Sequence, residues 1–141
     1  MKKEDFQRLR DLYPHLWSHQ MLTLPSGWLR ITERLMADLN EIQPPVPGVY
    51  GSPLMLWIKA SNGFAVAFVS PSPELGVWTP DKAMSLVEAV QRFNAATSDT
   101  CEVCGDSSVM IVKDADDSRQ QMLCQRHADE RLAEYDRGTM Q

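Results

Sequence analysis

Four residues near the C-terminal end of the sequence form its clearest chemical pattern. Cys101 and Cys104 are separated by two residues, and after 19 further residues Cys124 and His127 repeat that spacing. Two pairs of thiolate and imidazole donors at this spacing are typical of tetrahedral zinc sites. Because protein ligands would fill all four positions, no position remains for a reacting water. The sequence therefore predicts one structural Zn²⁺.

Other interpretations of the cysteines and histidines are weaker. The thiols could be buried and reduced beside an incidental histidine, but paired spacing at both ends rarely arises by accident. A redox Cys-x-x-Cys belongs with a thioredoxin-like βαβ pattern, which the sequence lacks. His15 and His19 could form half of a second metal site, but no nearby acid or cysteine completes it. We expect a surface or packing role for both.

The segments around the four ligands predict how they are positioned. Gly105 suits a tight zinc knuckle, in which backbone amides turn toward the sulfurs. Residues 109–112 and 120–123 predict a hairpin, and the second ligand pair opens a helix that Gly138 is expected to end. Knuckle, hairpin and helix together predict a treble-clef-like zinc module over residues 99–141.

Residues 1–98 predict a second, α+β region. Apolar residues recur at helical spacing in three segments, with Ser26 as the expected N-cap of the second and Thr79-Pro80 beginning the third. The predicted helices cover residues 3–12, 27–40 and 80–96. Three prolines within residues 43–48 predict an extended connector. The predicted fold is α+β: N-terminal helices, a central antiparallel hairpin, a third helix and the C-terminal zinc module.

The central hairpin has the strongest strand pattern. Residues 54–60 and 64–69 are rich in apolar and β-branched side chains, and Asn62-Gly63 between them favours a two-residue type I′ turn. With that loop, Trp57 is expected to face Phe68 across the two strands.

Both faces of this hairpin are apolar, which leaves two alternatives. Either both faces are covered, as is usual for apolar strands, or Trp57, Phe64 and Phe68 form an aromatic patch that is open to a partner. Methionines such as Met55 are expected to fill gaps in the core.

The net charge of −5 is unevenly distributed. Residues 1–98 contain nine acids and nine bases, whereas residues 99–141 contain ten acids against five bases. Phosphate backbones would be repelled by the C-terminal part, so a protein partner is favoured over nucleic acid. Asp114, Asp116 and Asp117, in the predicted turn of the second hairpin, are candidate contacts for that partner.

Composition and motifs exclude several classes of protein. With 43% hydrophobic and 23% charged residues the chain is an ordinary globular sequence. Residues 1–14 lack a signal-peptide-like apolar run, and no apolar stretch approaches the roughly 18 residues of a membrane span, so we expect a cytoplasmic protein. The sequence lacks a phosphate-binding loop, a nucleophile elbow and paired catalytic carboxylates with a histidine base. We therefore expect no enzymatic activity, and a treble-clef nuclease ranks last because it needs a histidine near the hairpin.

Several motifs taken in order resemble a family of small bacterial, phage and prophage proteins without an assigned activity. They are Ser26-Gly27-Trp28-Leu29, Ile58-Lys59, Asn62-Gly63, Cys101-x2-Cys104-Gly105 and Cys124-x2-His127. The resemblance implies this order of elements and a phage-linked origin. Residues and resemblance together predict a zinc-stabilised, non-enzymatic interaction protein that binds or inhibits a host protein. The alternative is a zinc-containing nucleic-acid-binding or regulatory protein.

Overall fold

The computed structural model describes residues 1–48, 51–61, 63–72, 78–107, 110–113 and 119–139. It has the predicted α+β order of elements. The helices are α1 (Lys3–Leu12), α2 (Leu29–Ile42), α3 (Pro80–Ser98) and α4 (Gln125–Thr139), and two short 3₁₀ helices cover His19–Thr23 and Ser26–Trp28. The strands are β1 (Leu54–Ser61), β2 (Phe64–Pro71), β3 (Met110–Lys113) and β4 (Gln120–Leu123). Within the described ranges, no helix combines the length and apolar character needed to cross a membrane.

α1 and α3 begin where predicted, whereas the predicted start of α2 and the predicted end of α4 are wrong. α1 matches its predicted range, and α3 begins after Thr79, whose hydroxyl accepts a hydrogen bond from the Lys82 amide. α2 begins at Leu29, and Ser26 provides no side-chain cap because it belongs to a 3₁₀ helix. α4 continues through Gly138, where a helical glycine costs only about 1 kcal/mol relative to alanine.

The first sheet consists of β1 and β2 in the predicted register. Trp57 lies opposite Phe68 in an antiparallel ladder. Leu56, Ile58 and Ala67 point inward and are buried, because alternate residues of a strand face opposite sides of a sheet. Their face belongs to a core that α2 and α3 complete with Leu35, Met36, Leu39, Ala89 and Phe93.

Side chains of α3 cover the outer edge of β2. The Ala65 amide donates to the Thr97 hydroxyl at 3.1 Å, and the Ala67 amide donates to the Asn94 side-chain oxygen at 2.8 Å. These amides point away from β1, where a third strand would otherwise supply acceptors. At Ala65 and Ala67 the outer edge of β2 is therefore closed by polar side chains of a helix.

The second sheet, β3 with β4, belongs to a smaller buried cluster. Cys101, Val112, Leu123 and Ala128 form this cluster, whereas every buried residue of the larger core lies within residues 1–98. The tip of the first hairpin reaches the second sheet, because a Cβ atom at Gly63 would lie 3.3 Å from the Met122 Cγ atom. Gly63 has φ +91°, which glycine adopts without strain.

Candidate metal centre

The four predicted ligands converge on one point. Their donor atoms all lie within 4.8 Å of one another. Cys101 and Cys104 lie in the knuckle, residues 101–105, while Cys124 directly follows β4 and His127 lies in the first turn of α4. The His127 Nδ1 atom is 3.2 Å from the Cys124 sulfur and 3.6 Å from the Cys101 sulfur. The Cys104 and Cys124 sulfurs are 3.8 Å apart.

These distances fit a single four-coordinate ion. In a tetrahedral zinc site the ligand sulfurs lie about 3.8 Å apart, and a sulfur and a nitrogen about 3.5 Å apart, given bond lengths of about 2.3 and 2.0 Å. A disulfide is excluded for Cys104 and Cys124, because their separation is far longer than the roughly 2.05 Å of an S–S bond. The four residues could therefore hold one metal ion.

Backbone hydrogen bonds shape the knuckle. The Gly105 amide donates to the Cys101 carbonyl at 3.0 Å, and the Cys101 amide donates to the Asp106 carbonyl at 2.7 Å. Gly105 has φ +83°, so this turn requires a residue that accepts left-handed backbone. The tight turn predicted at Gly105 is confirmed.

The electrostatics of the thiols favour a cation between them. Burial opposes ionisation of Cys101, but the amides of Cys124, Cys104 and Val103 outweigh it and lower its pKa to about 7. Partial desolvation and the adjacent Cys101 and Cys124 sulfurs raise the pKa of Cys104 to about 11. Three neighbouring sulfurs cannot all carry charge unless a cation balances them.

Glu102 attaches the knuckle to the second sheet. Its amide donates to the Met122 carbonyl at 2.9 Å, and its carboxylate accepts from the Met122 amide at 2.8 Å. Burial raises the pKa of Glu102, although the Met122 amide and the charge of Arg119 partly offset this effect. The reciprocal pair fixes the knuckle beside β4, from which Cys124 emerges.

The N-terminal region contacts the other side of the knuckle. The Gly27 amide donates to the Glu102 carbonyl at 2.9 Å, and the Trp28 indole donates to the Thr100 carbonyl at 3.3 Å. A Cβ atom at Gly27 would lie only 2.0 Å from the Cys101 carbonyl oxygen, and one at Gly105 would lie 2.8 Å from the Gly27 carbonyl oxygen. Both glycines are therefore needed for this backbone contact.

This contact was not predictable from the sequence. The Gly-Trp motif and the Cys-Gly motif each stand out in it, but nothing in the sequence indicates that they touch. The requirement for Gly27 comes from the chain packed against it.

The first hairpin leaves its aromatic patch exposed. Trp57, Phe64 and Phe68 are 40%, 47% and 53% exposed, so the expectation that both faces are covered is wrong. Met55 is 52% exposed on the same face, and its predicted place in the core is also wrong. Met55 and Trp57 are two residues apart in one strand, and this alternation is the sequence pattern that would have placed Met55 on the exposed face. We call these four residues the aromatic face.

The remaining candidates are the three aspartates of the second hairpin and the two N-terminal histidines. Asp114, Asp116 and Asp117 lie outside the described residues. In the part of the chain that the structure describes, the Cys/His cluster is the only group of three or more residues that could hold a metal, so His15 and His19 form no second one. His19 instead lies edge-on to Trp17, with ring centroids 4.9 Å apart.

Comparison with family models, curated proteins and solved structures finds no match. The assignment of the site therefore depends on its own geometry and donor chemistry.

Proposed function

We propose that the chain is a non-enzymatic protein-binding module whose C-terminal part is held together by one structural zinc ion. The observation that supports this is the convergence of the Cys101, Cys104, Cys124 and His127 donor atoms within 4.8 Å. Three thiolates and an imidazole are ligands that Zn²⁺ accepts, whereas Mg²⁺ and Ca²⁺ prefer oxygen. Knuckle, hairpin and helix would then form a treble-clef module.

A structural role follows from the donor set. Four protein donors complete a tetrahedral shell, so a bound zinc ion would stabilise the fold and would activate no water. Ligation through Nδ1 leaves the proton of His127 on Nε2, which lies 4.0 Å from the Glu130 carboxylate. At that distance the carboxylate makes no direct hydrogen bond to the ring, and the Arg126 guanidinium lies nearer, 3.5 Å from Nε2.

The interaction role is supported by the aromatic face. Large apolar side chains grouped on one exposed face are typical of protein-binding sites. Trp57 and Phe68 are directly opposite each other in the ladder, so their side chains are neighbours. A protein with apolar surface would bury both rings, and aromatic side chains dominate the energetics of such contacts.

Native mass spectrometry before and after chelation tests the zinc assignment. We expect one zinc ion per chain and its loss from Cys124→Ser. His127→Cys is a matched control, because a fourth thiolate also binds zinc, whereas His127→Ala removes a ligand. Folded protein without metal, or full zinc content in both Cys124→Ser and His127→Ala, would contradict the four-ligand site.

A further inference from the structure

We propose that the outer edge of β1 binds an extended peptide strand, which becomes the third strand of the first sheet and carries an acidic residue opposite Lys59. This inference rests on the proposed protein-binding function and specifies the class of partner. It combines three observations: backbone groups along β1 that no described residue pairs with, two cavities that follow this strand, and one positive charge that no described residue offsets.

The hairpin register shows which backbone groups face outward. Ser61 and Phe64 flank the two-residue loop and form a hydrogen-bonded pair, and such pairs alternate along the ladder. The N–H and C=O groups of Leu56, Ile58 and Ala60 therefore point away from β2.

Hydrogen bonds at the outer edge of β2 agree with this alternation, because the amides of Ala65 and Ala67 point away from β1 and reach acceptors on α3. Among the described residues, none provides such acceptors along the edge of β1. No described residue forms a hydrogen bond with the outward groups of Leu56, Ile58 or Ala60, although the 3₁₀ helix His19–Thr23 lies beside this strand. A sheet edge with free donors and acceptors is the surface to which extended peptides add.

Two cavities follow β1 and meet at Trp57. One, of about 640 Å³, is lined by Leu16, Trp57 and Ser70 among others, and the second, of about 660 Å³, lies between Gln20 and Lys59. The eight residues of β1 span about 26 Å at about 3.3 Å each. β1 lines both cavities, although Ser70 and Phe68 of β2 also reach them, so an occupant that fills both must be extended along β1.

The charge of Lys59 favours an acidic peptide over a second copy of β1 as the added strand. Among the described residues that line the two cavities, Lys59 alone carries a formal charge at neutral pH, and no ion pair with a described residue offsets it. Opposite charges across neighbouring strands stabilise their pairing, whereas like charges oppose it. An acidic residue on the added strand would balance Lys59, while a second copy of β1 would bring another lysine to the same face.

A selection from a library of displayed, extended eight-residue peptides tests the proposal. We expect enrichment of alternating apolar residues with one aspartate or glutamate. The enriched peptide, made synthetically, then serves as the probe in fluorescence anisotropy against the metal-loaded full chain. Zinc content and thermal unfolding of each variant show whether it folds.

Two variants distinguish strand addition from nonspecific binding to the apolar surface. Ala60→Pro removes one outward amide at an exposed edge position that proline tolerates, and we expect roughly tenfold weaker binding. Lys59→Glu should change the preference of the selection from acidic to basic peptides. Lys113→Glu is the matched control, because Lys113 is an exposed lysine on β3 and its replacement should leave binding unchanged.

Other results would overturn strand addition. Loss of binding in Trp57→Ser with full binding in Ala60→Pro would do so while supporting the aromatic face as a binding site. Enrichment of peptides whose apolar residues recur at helical instead of alternating spacing, with binding lost in Trp57→Ser, would have the same meaning. If no peptide is enriched, or if sedimentation shows a dimer that Ala60→Pro dissociates, the proposed occupant is wrong. Zinc content of the same samples decides the metal assignment independently.

Discussion

A methyl group at Gly27 has no space in the contact between the N-terminal region and the knuckle. In Gly27→Ala the new Cβ atom would lie 2.0 Å from the Cys101 carbonyl oxygen and 2.7 Å from the Glu102 carbonyl carbon. A carbon and an oxygen normally approach to about 3.4 Å, so the two backbones must separate by about 1.4 Å. The neighbouring atoms belong to backbone, which cannot move aside as a flexible side chain does.

That separation breaks two hydrogen bonds, and their loss sets the magnitude. The Gly27 amide would lose the Glu102 carbonyl, and the Trp28 indole, which is buried, would lose the Thr100 carbonyl. A buried polar group without a partner costs about 1–3 kcal/mol, so we expect the free energy of unfolding to fall by about 3 kcal/mol. For a chain of this size that corresponds to a melting temperature lowered by about 10 °C.

Urea and thermal unfolding of the metal-loaded protein, followed by tryptophan fluorescence, measure this loss. Gly48→Ala is the control, because Gly48 has φ +75° and a Cβ atom there would meet none of the described residues other than its chain neighbours within 4 Å. Gly48→Ala should lower the free energy of unfolding by about 1 kcal/mol, because only the backbone conformation opposes the substitution. If Gly27→Ala destabilises the protein no more than Gly48→Ala does, the knuckle is not held by this contact.

Three further predictions concern the metal, two buried hydroxyls and one histidine. Cys124→Ser or chelation should remove most of the stability of residues 99–141, measured as loss of helical circular dichroism; retained ellipticity without metal would contradict this. Thr97→Val leaves the Ala65 amide without its acceptor and should cost about 2 kcal/mol, whereas Thr32→Val removes a buried hydroxyl that has no partner among the described residues and should be neutral or stabilising. Equal effects of the two substitutions in urea unfolding would refute this distinction. Burial lowers the pKa of His15, so stability from its neutral form is complete above its unfolded pKa of about 6.5 and declines as the pH falls below that value. Stability measured from pH 7.5 to 5 should decline less in His15→Gln, and identical declines would exclude this contribution.

Local rules predicted the features that depend on a few neighbouring residues. The loop at Asn62-Gly63 fixed the register of the first hairpin, because a two-residue turn permits one pairing of the flanking strands. Thr79-Pro80 marked the start of α3, since a hydroxyl acceptor followed by proline satisfies the free amides of a first turn. The spacing of the cysteines and His127 identified residues that the fold does bring together.

Features that depend on distant residues were not predictable in this way. Ser26 has the chemistry of a helix cap, but the chain there forms a 3₁₀ helix that presents the Gly27 amide to the knuckle. Alternation alone would have put Met55 on the same face as Trp57, but it cannot show which face is covered. That outcome depends on where α2 and α3 pack, and their packing is a property of the whole fold.

The closed edge of β2 limits how this molecule can assemble through its first sheet. A repeating stack of strands needs two open edges on each molecule, one to receive a neighbour and one to offer to the next. Here Thr97 and Asn94 occupy one of them. Pairing through β1 can therefore end only in a closed two-fold pair or in a single added strand, and fibre growth by this route stops after one step.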